Sequence, residues 1–170
     1  MAEFMGNPRG EGRRIVVVAA RFNEAVTMPL AEGAVGAMVE KGVLFDDIDV
    51  LWVPGAWELP IAARRALGTE RYDACVAIGA VIRGETPHFD FVAGEAARGL
   101  MDVSRDFDVP VTLGLLTTDT LAQAEARAGG AHGNKGADAA LAALELLDLF
   151  DRVLPDDSVD DALLDDEIGA

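Results

Sequence analysis

One cysteine, Cys75, and two histidines, His88 and His132, are all the thiol and imidazole groups in the 170 residues. A single cysteine excludes an internal disulfide framework and any zinc module built on several thiolates. Two separated histidines with no companion ligand define no metal site. Basic residues are scarce too: 14 Lys and Arg stand against 30 Asp and Glu, a formal net charge of -16. Without a basic field there is no counterion release to drive nucleic-acid binding, and an anionic membrane is no better a partner. No apolar run is long enough to span a bilayer, and residues 1–12 have no apolar stretch of the signal-peptide kind, so a cytoplasmic location is expected. A G-x-x-x-x-G-K-[ST] nucleotide loop is missing, and Arg21-Phe22-Asn23 stands where a dinucleotide fingerprint would follow the first strand. What the chain does have is apolar residues, 51% of the total. That is too many for intrinsic disorder and enough for one domain with a substantial core.

The acids gather at the end. Residues 151–170 carry eight of them against one base, Arg152. With Pro155 closing the last helical pattern, residues 155–170 read as a solvated acidic tail, 13–154 as the folded domain and 1–12 as an arm. Within the domain, residues 13–20, 49–53, 74–82 and 109–116 are short apolar runs of strand character. Helical spacing marks residues 24–41 and 58–67, a helix opening at Thr86-Pro87, one from the 117–119 cap candidates to about Ala128, and one over 134–152. That last helix carries two apolar stripes. Ala137, Ala140, Leu141, Leu144 and Leu147 form one; Leu146, Leu149 and Phe150 form the other. It therefore needs two partners, one of them a candidate second subunit. Strands alternating with helices predict an α/β, three-layer flavodoxin-like sandwich: a four-stranded parallel sheet flanked by helices. Ligands of such sheets bind beyond the carboxyl ends of the strands, which singles out the loops at 21–24, 54–58, 83–88 and 117–119.

Gly84-Glu85-Thr86 leads into a helix start, where free N–H groups favour an anion; ordinary capping explains the same residues equally well. His88, in the first turn, is the candidate for proton transfer near neutral pH, or a packing histidine. Phe22 is placed to stack on a flat heterocycle, or to plug the loop against a helix. Trp57 and Glu58 pair an aromatic with a carboxylate able to accept from polyol hydroxyls, although Glu58 also suits a helix first turn. Arg127 and Lys135 flank a glycine-rich connection and can bring positive charge to a phosphate, or form surface ion pairs. Cys75, inside an apolar strand, reads as core, and His132 as structural.

Four stretches, ARFNEAVT, VPGAWELP, AIGAVIRGETPHFDFV and LGLLTTDTLAQAEARAGGAHGNKG, occur in an order and spacing that resemble the lumazine synthase family of riboflavin biosynthesis. The resemblance runs from about Arg13 to Phe150. It implies condensation of 5-amino-6-(D-ribitylamino)uracil with 3,4-dihydroxy-2-butanone 4-phosphate to 6,7-dimethyl-8-ribityllumazine, without metal or organic cofactor. It further implies that Phe22 stacks on the pyrimidine and that Ala56, Trp57 and Glu58 line the ribityl chain. The backbone of Ala80, Val81 and Ile82 would read the pyrimidine edge, with Glu85 and Thr86 at the phosphate and His88 moving protons. Leu113, Arg127 and Lys135 would enter from a neighbouring subunit.

The resemblance also implies a homopentamer, in some members twelve pentamers in an icosahedral shell of sixty subunits, and an association with riboflavin synthase. The short 129–136 connection resembles that of shell formers. Pro8, in the arm that adds to a neighbour's sheet in those members, removes a ladder donor and argues the other way. Two positions depart from the usual pattern: Leu113 stands where many relatives have phenylalanine, and Glu85 places a carboxylate beside the phosphate, so its side chain is expected to point away. A catalytically silent shell-forming or flavin-binding relative is the alternative the same resemblance leaves open.

Overall fold

The computed structural model describes residues 1–153; the acidic segment at 155–170 lies outside them. The domain begins with β1 (Ile15–Ala20) and α1 (Glu24–Glu40), then β2 (Ile48–Val53), α2 (Leu59–Leu67), β3 (Ala74–Ile82), α3 (His88–Phe107) and β4 (Val111–Thr118). A short α4 (Leu121–Glu125), the strands β5 (Ala128–Gly130) and β6 (Gly133–Asn134), and α5 (Lys135–Val153) complete it. The four long strands form one parallel sheet in the order β2-β1-β3-β4. This is the α/β sandwich that the apolar runs predict.

Two cores, one on each face, explain why β1 and β3 read as continuous apolar runs. Ile15, Val17 and Ala19 pack on one side with Leu30 and Met38 of α1 and Leu144 of α5. Val16, Val18 and Ala20 alternate to the other side, against Leu59 of α2 and Leu100 of α3. A strand in the middle of such a sheet has no polar face to show. Each large side chain buried this way contributes about 1.5–3 kcal/mol. Cys75 belongs to the second core, where burial pushes its thiol up to about 12. It is therefore not a nucleophile at neutral pH.

Three local expectations are corrected. The helix placed up to Ala128 is only five residues long, and an antiparallel hairpin of β5 and β6 follows it. Gly129 at φ +104° and Gly133 at φ +74° supply the left-handed conformations the hairpin requires. The cap of α4 is Thr120, not residues 117–119, because Thr117 and Thr118 are still paired with Val81 and Ile82 in the sheet. Thr120 Oγ1 accepts from the Gln123 N–H, and Gln123 Oε1 accepts from the N–H groups of Asp119 and Thr120. Finally, Pro87 occupies the N-cap of α3 and no side chain caps it, so Thr86 is not consumed in capping.

The second stripe of α5 finds part of its partner within the chain. Residues 1–12 form no strand. Gly6 crosses α5 so closely that a Cβ there would lie 2.0 Å from the Glu145 carbonyl oxygen and 3.1 Å from Leu149 Cβ. The Asn7 N–H donates to Asp148 Oδ2 at 2.7 Å, and Arg152 bonds the same carboxylate at 2.9 Å. Asp148 is held below the ordinary carboxylate range chiefly by that N–H, with Arg152 and Arg9 adding and burial opposing. A depressed carboxyl contributes stability that is present above its unfolded value of about 3.9 and is lost as pH falls through the lower folded value. The thermal midpoint of Asp148→Asn is therefore expected to lie below wild type at neutral pH and to converge with it below about pH 4. A gap that does not change with pH in thermal unfolding would refute this account of the clasp.

Candidate active site

In the strand order β2-β1-β3-β4 the chain reverses direction across the sheet between β1 and β3, and a crevice opens there at the carboxyl ends. A cleft of about 870 Å³ occupies it, walled by the loops after β1, β2 and β3 and by the first turns of α3. Phe22 enters from the end of β1 and is largely exposed, with nothing of the plug about it. Asn23 sets that loop. It adopts a left-handed conformation at φ 63°, and its Nδ2 donates to the Ala80 carbonyl oxygen at 2.8 Å, tying the β1 loop to β3.

After β2, Ala56 is buried while Trp57 is exposed along the same wall. Glu58, which also lines the cleft, uses Oε2 to accept the Gly55 N–H at 2.9 Å, which fixes the turn and leaves Oε1 without a side-chain or backbone donor among the described residues. The chain ends of Ala80, Val81 and Ile82 form the floor, and Thr86 and His88 stand at the α3 side. Glu85 is exposed and is not part of the lining.

The remaining predicted residues are elsewhere. Leu113, Arg127 and Lys135 line a second, more open depression of about 600 Å³ on the β4 and α5 side. Arg127 donates to the Gln123 carbonyl oxygen at 3.0 Å, and Lys135 Nζ pairs with Asp138 at 2.7 Å. Leu113 is exposed there. The two depressions are complementary in chemistry. The cleft has aromatics, a carboxylate, main-chain groups and an imidazole but no Lys or Arg in its lining; the second depression has both cations. His132 lies in the hairpin connection between β5 and β6, in neither. Among the described residues no group of three His, Cys, Asp or Glu side chains could hold a metal ion, and no helix is long and apolar enough to cross a membrane.

Sheet order and cleft together define a flavodoxin-like α/β domain with a cleft at the strand ends lined by aromatic side chains, a carboxylate and an imidazole. The family is more specific. The family model for 6,7-dimethyl-8-ribityllumazine synthase matches residues 12–151, and the chain belongs to that family. It is 81% identical over 161 residues to the 6,7-dimethyl-8-ribityllumazine synthase of Gemmatimonas aurantiaca, covering 95% of this chain and 98% of the relative. It is also 47% identical over 157 residues to the enzyme of that name from Lactiplantibacillus plantarum, covering 92% and 99%.

Proposed function

We propose that this chain condenses 5-amino-6-(D-ribitylamino)uracil with 3,4-dihydroxy-2-butanone 4-phosphate to 6,7-dimethyl-8-ribityllumazine, releasing phosphate and water, as a transferase of riboflavin biosynthesis. One observation carries the reading beyond family membership. The chain divides the required chemistry between two depressions, and the one suited to the aminouracil holds no cation for the phosphate. A site completed by the Arg127 side of a neighbouring subunit resolves that division.

In this reading the aminouracil ring lies against Phe22, its edge toward the backbone of Ala80, Val81 and Ile82. The ribityl chain runs past Ala56 and Trp57 to the free oxygen of Glu58. The phosphate sits at the start of α3, taking N–H groups of Glu85 and Thr86 and the Thr86 hydroxyl, with Arg127 and Lys135 of the neighbour opposite. Leu113 of the neighbour covers the ring, a smaller lid than an aromatic provides. The primary amine attacks the ketone, and water leaves as the imine forms. Loss of a proton then expels phosphate, the enol tautomerises to a ketone, and the second amine closes the ring on that carbonyl with loss of a second water. His88 carries protons between these steps.

Holding two substrates in one seam is worth roughly 7–11 kcal/mol in favourable systems, more than any single proton carrier. His88→Ala is accordingly expected to lower kcat by about a hundredfold, the low end for a general acid–base group. A loss of activity to background would assign His88 a larger part than proton transfer.

The direct test is lumazine absorbance from the two purified substrates. Turnover supports the reading, whereas a well-folded protein that makes no lumazine is the silent relative instead. A cytoplasmic site of action and a pentamer follow from the same reading, with the short hairpin favouring the twelve-pentamer shell. Light scattering decides between the two assemblies.

A further inference from the structure

Arg83 follows the last residue of β3 and takes no part in lining the cleft. Its side chain nevertheless makes three contacts at once. Nε donates to Asp119 Oδ1 at 2.9 Å, Nη1 donates to Asp90 Oδ1 at 3.3 Å, and the guanidinium carbon stands 4.1 Å from the centroid of the Phe89 ring. Its own N–H donates to the Thr118 carbonyl oxygen at 2.8 Å. Phe89 and Asp90 are the two residues that follow His88 in the first turn of α3. Asp119 belongs to the turn between β4 and α4, and its N–H is held in turn by Gln123 Oε1 at 2.9 Å.

A lone exposed ion pair contributes little. Here a planar guanidinium is stacked on a ring and forked between two carboxylates, an arrangement that a lysine cannot copy. The surroundings give it a task. The turn it grips has no side-chain cap at Pro87, and a Cβ placed on Gly84 would meet nothing within 4 Å. The start of α3 packs on the turn after β2 but has no side-chain cap of its own, which leaves Arg83 as its polar tie to the β4 side. The two carboxylates also offset the charge of Arg83, which is not among the residues lining the cleft.

We propose that Arg83 is a positioning residue: clamped between Asp119 and the Phe89–Asp90 pair, it holds the first turn of α3 so that His88 faces the reacting atoms. This rests on the proposed condensation only in its kinetic readout. The test compares assembled wild type with Arg83→Ala, Arg83→Lys, Asp119→Asn, His88→Ala and the Arg83→Ala/His88→Ala double variant. The measurements are steady-state turnover and amide hydrogen exchange at residues 84–90.

Arg83→Ala is expected to lower kcat about fivefold while both KM values stay within about twofold, since a small misplacement of a catalytic group acts on the chemical step. Exchange at residues 84–90 speeds up. Arg83→Lys recovers only part of the loss, and Asp119→Asn, which leaves the arginine in place, moves both readouts the same way by less. On the His88→Ala background the Arg83 substitution has no further effect on kcat, the signature of action through His88. A loss that is fully additive with His88→Ala, or exchange at 84–90 that does not change, overturns the proposal. If wild type makes no lumazine, the assigned reaction falls, and the exchange measurement still decides whether Arg83 holds the turn.

Discussion

Arg127→Ala is expected to reduce kcat/KM for the butanone phosphate by about a hundredfold while leaving the KM for the aminouracil within about twofold, because a charge-assisted bond to phosphate is worth about 1.5–3 kcal/mol. The selectivity of the loss is the informative part. Arg127 is half-buried, its side chain donates to the Gln123 carbonyl, and it is not among the residues lining the cleft of its own chain. Its removal therefore has no local route to the aminouracil pocket. Arg127→Lys keeps the charge without the planar fork and is expected to recover only part of the loss. An unchanged KM for the phosphate substrate in the alanine variant would remove Arg127 from the site.

Sharing between subunits makes a second demand on the same variant. Arg127→Ala chains retain an intact cleft, and Phe22→Ala chains retain an intact Arg127. Neither alone assembles a fully equipped site, but co-assembled in equal amounts they restore about a quarter of the sites to wild-type composition, since each seam in a ring joins the cleft of one chain to the cation side of the next. Mixed assemblies with no regained turnover would place both residue sets in one chain, contrary to the separation of the two depressions.

The parts of the molecule that could be read from sequence share a physical property: their signal is local and periodic. β1 and β3 announce themselves because both faces are buried and no polar residue interrupts the run. Phe22, Trp57 and His88 fall on one rim because strand order and the carboxyl-end rule leave them nowhere else to go. The β5–β6 hairpin escaped because strands of three and two residues are too short to show a period.

Long-range contacts left no trace either. Gly6 meets Leu149 across nearly the whole chain, and Arg83 meets Asp119 only once β3 and β4 lie side by side. The bond from Asn23 to the Ala80 carbonyl, 57 positions along the chain, has no local sequence signal. The assignment of Leu113, Arg127 and Lys135 to a separate surface came from family resemblance alone. What a chain contributes to its neighbour follows no periodicity of its own.

Gly136→Ala is expected to be the most damaging single methyl in the fold. A Cβ at this position would lie 2.0 Å from the Leu30 carbonyl oxygen and 2.7 Å from its carbon. Leu30 is fully buried in the middle of α1. The obstacle is backbone, so no rotamer change relieves it; α5 must move away from α1 as a unit. That movement is resisted by Asn134, whose Nδ2 donates to the Pro29 carbonyl at 2.8 Å while its Oδ1 accepts the Gly136 N–H at 2.9 Å and the Ala137 N–H at 3.1 Å. Overpacking against side chains typically costs about 1–3 kcal/mol, and a fixed carbonyl puts this site at the upper end or beyond. For a domain of this size that corresponds to a drop in Tm of about 6–12 °C. Because α5 begins at Lys135, the same displacement carries the lysine out of the second depression, and activity is expected to fall with stability. Gly36→Ala is the matched control: it lies in α1 with nothing within 4 Å of the new Cβ, and helix propensity predicts a neutral result or a gain of up to about 1 kcal/mol. Equal thermal midpoints for the two variants would mean that α1 and α5 do not approach as closely as their backbones indicate.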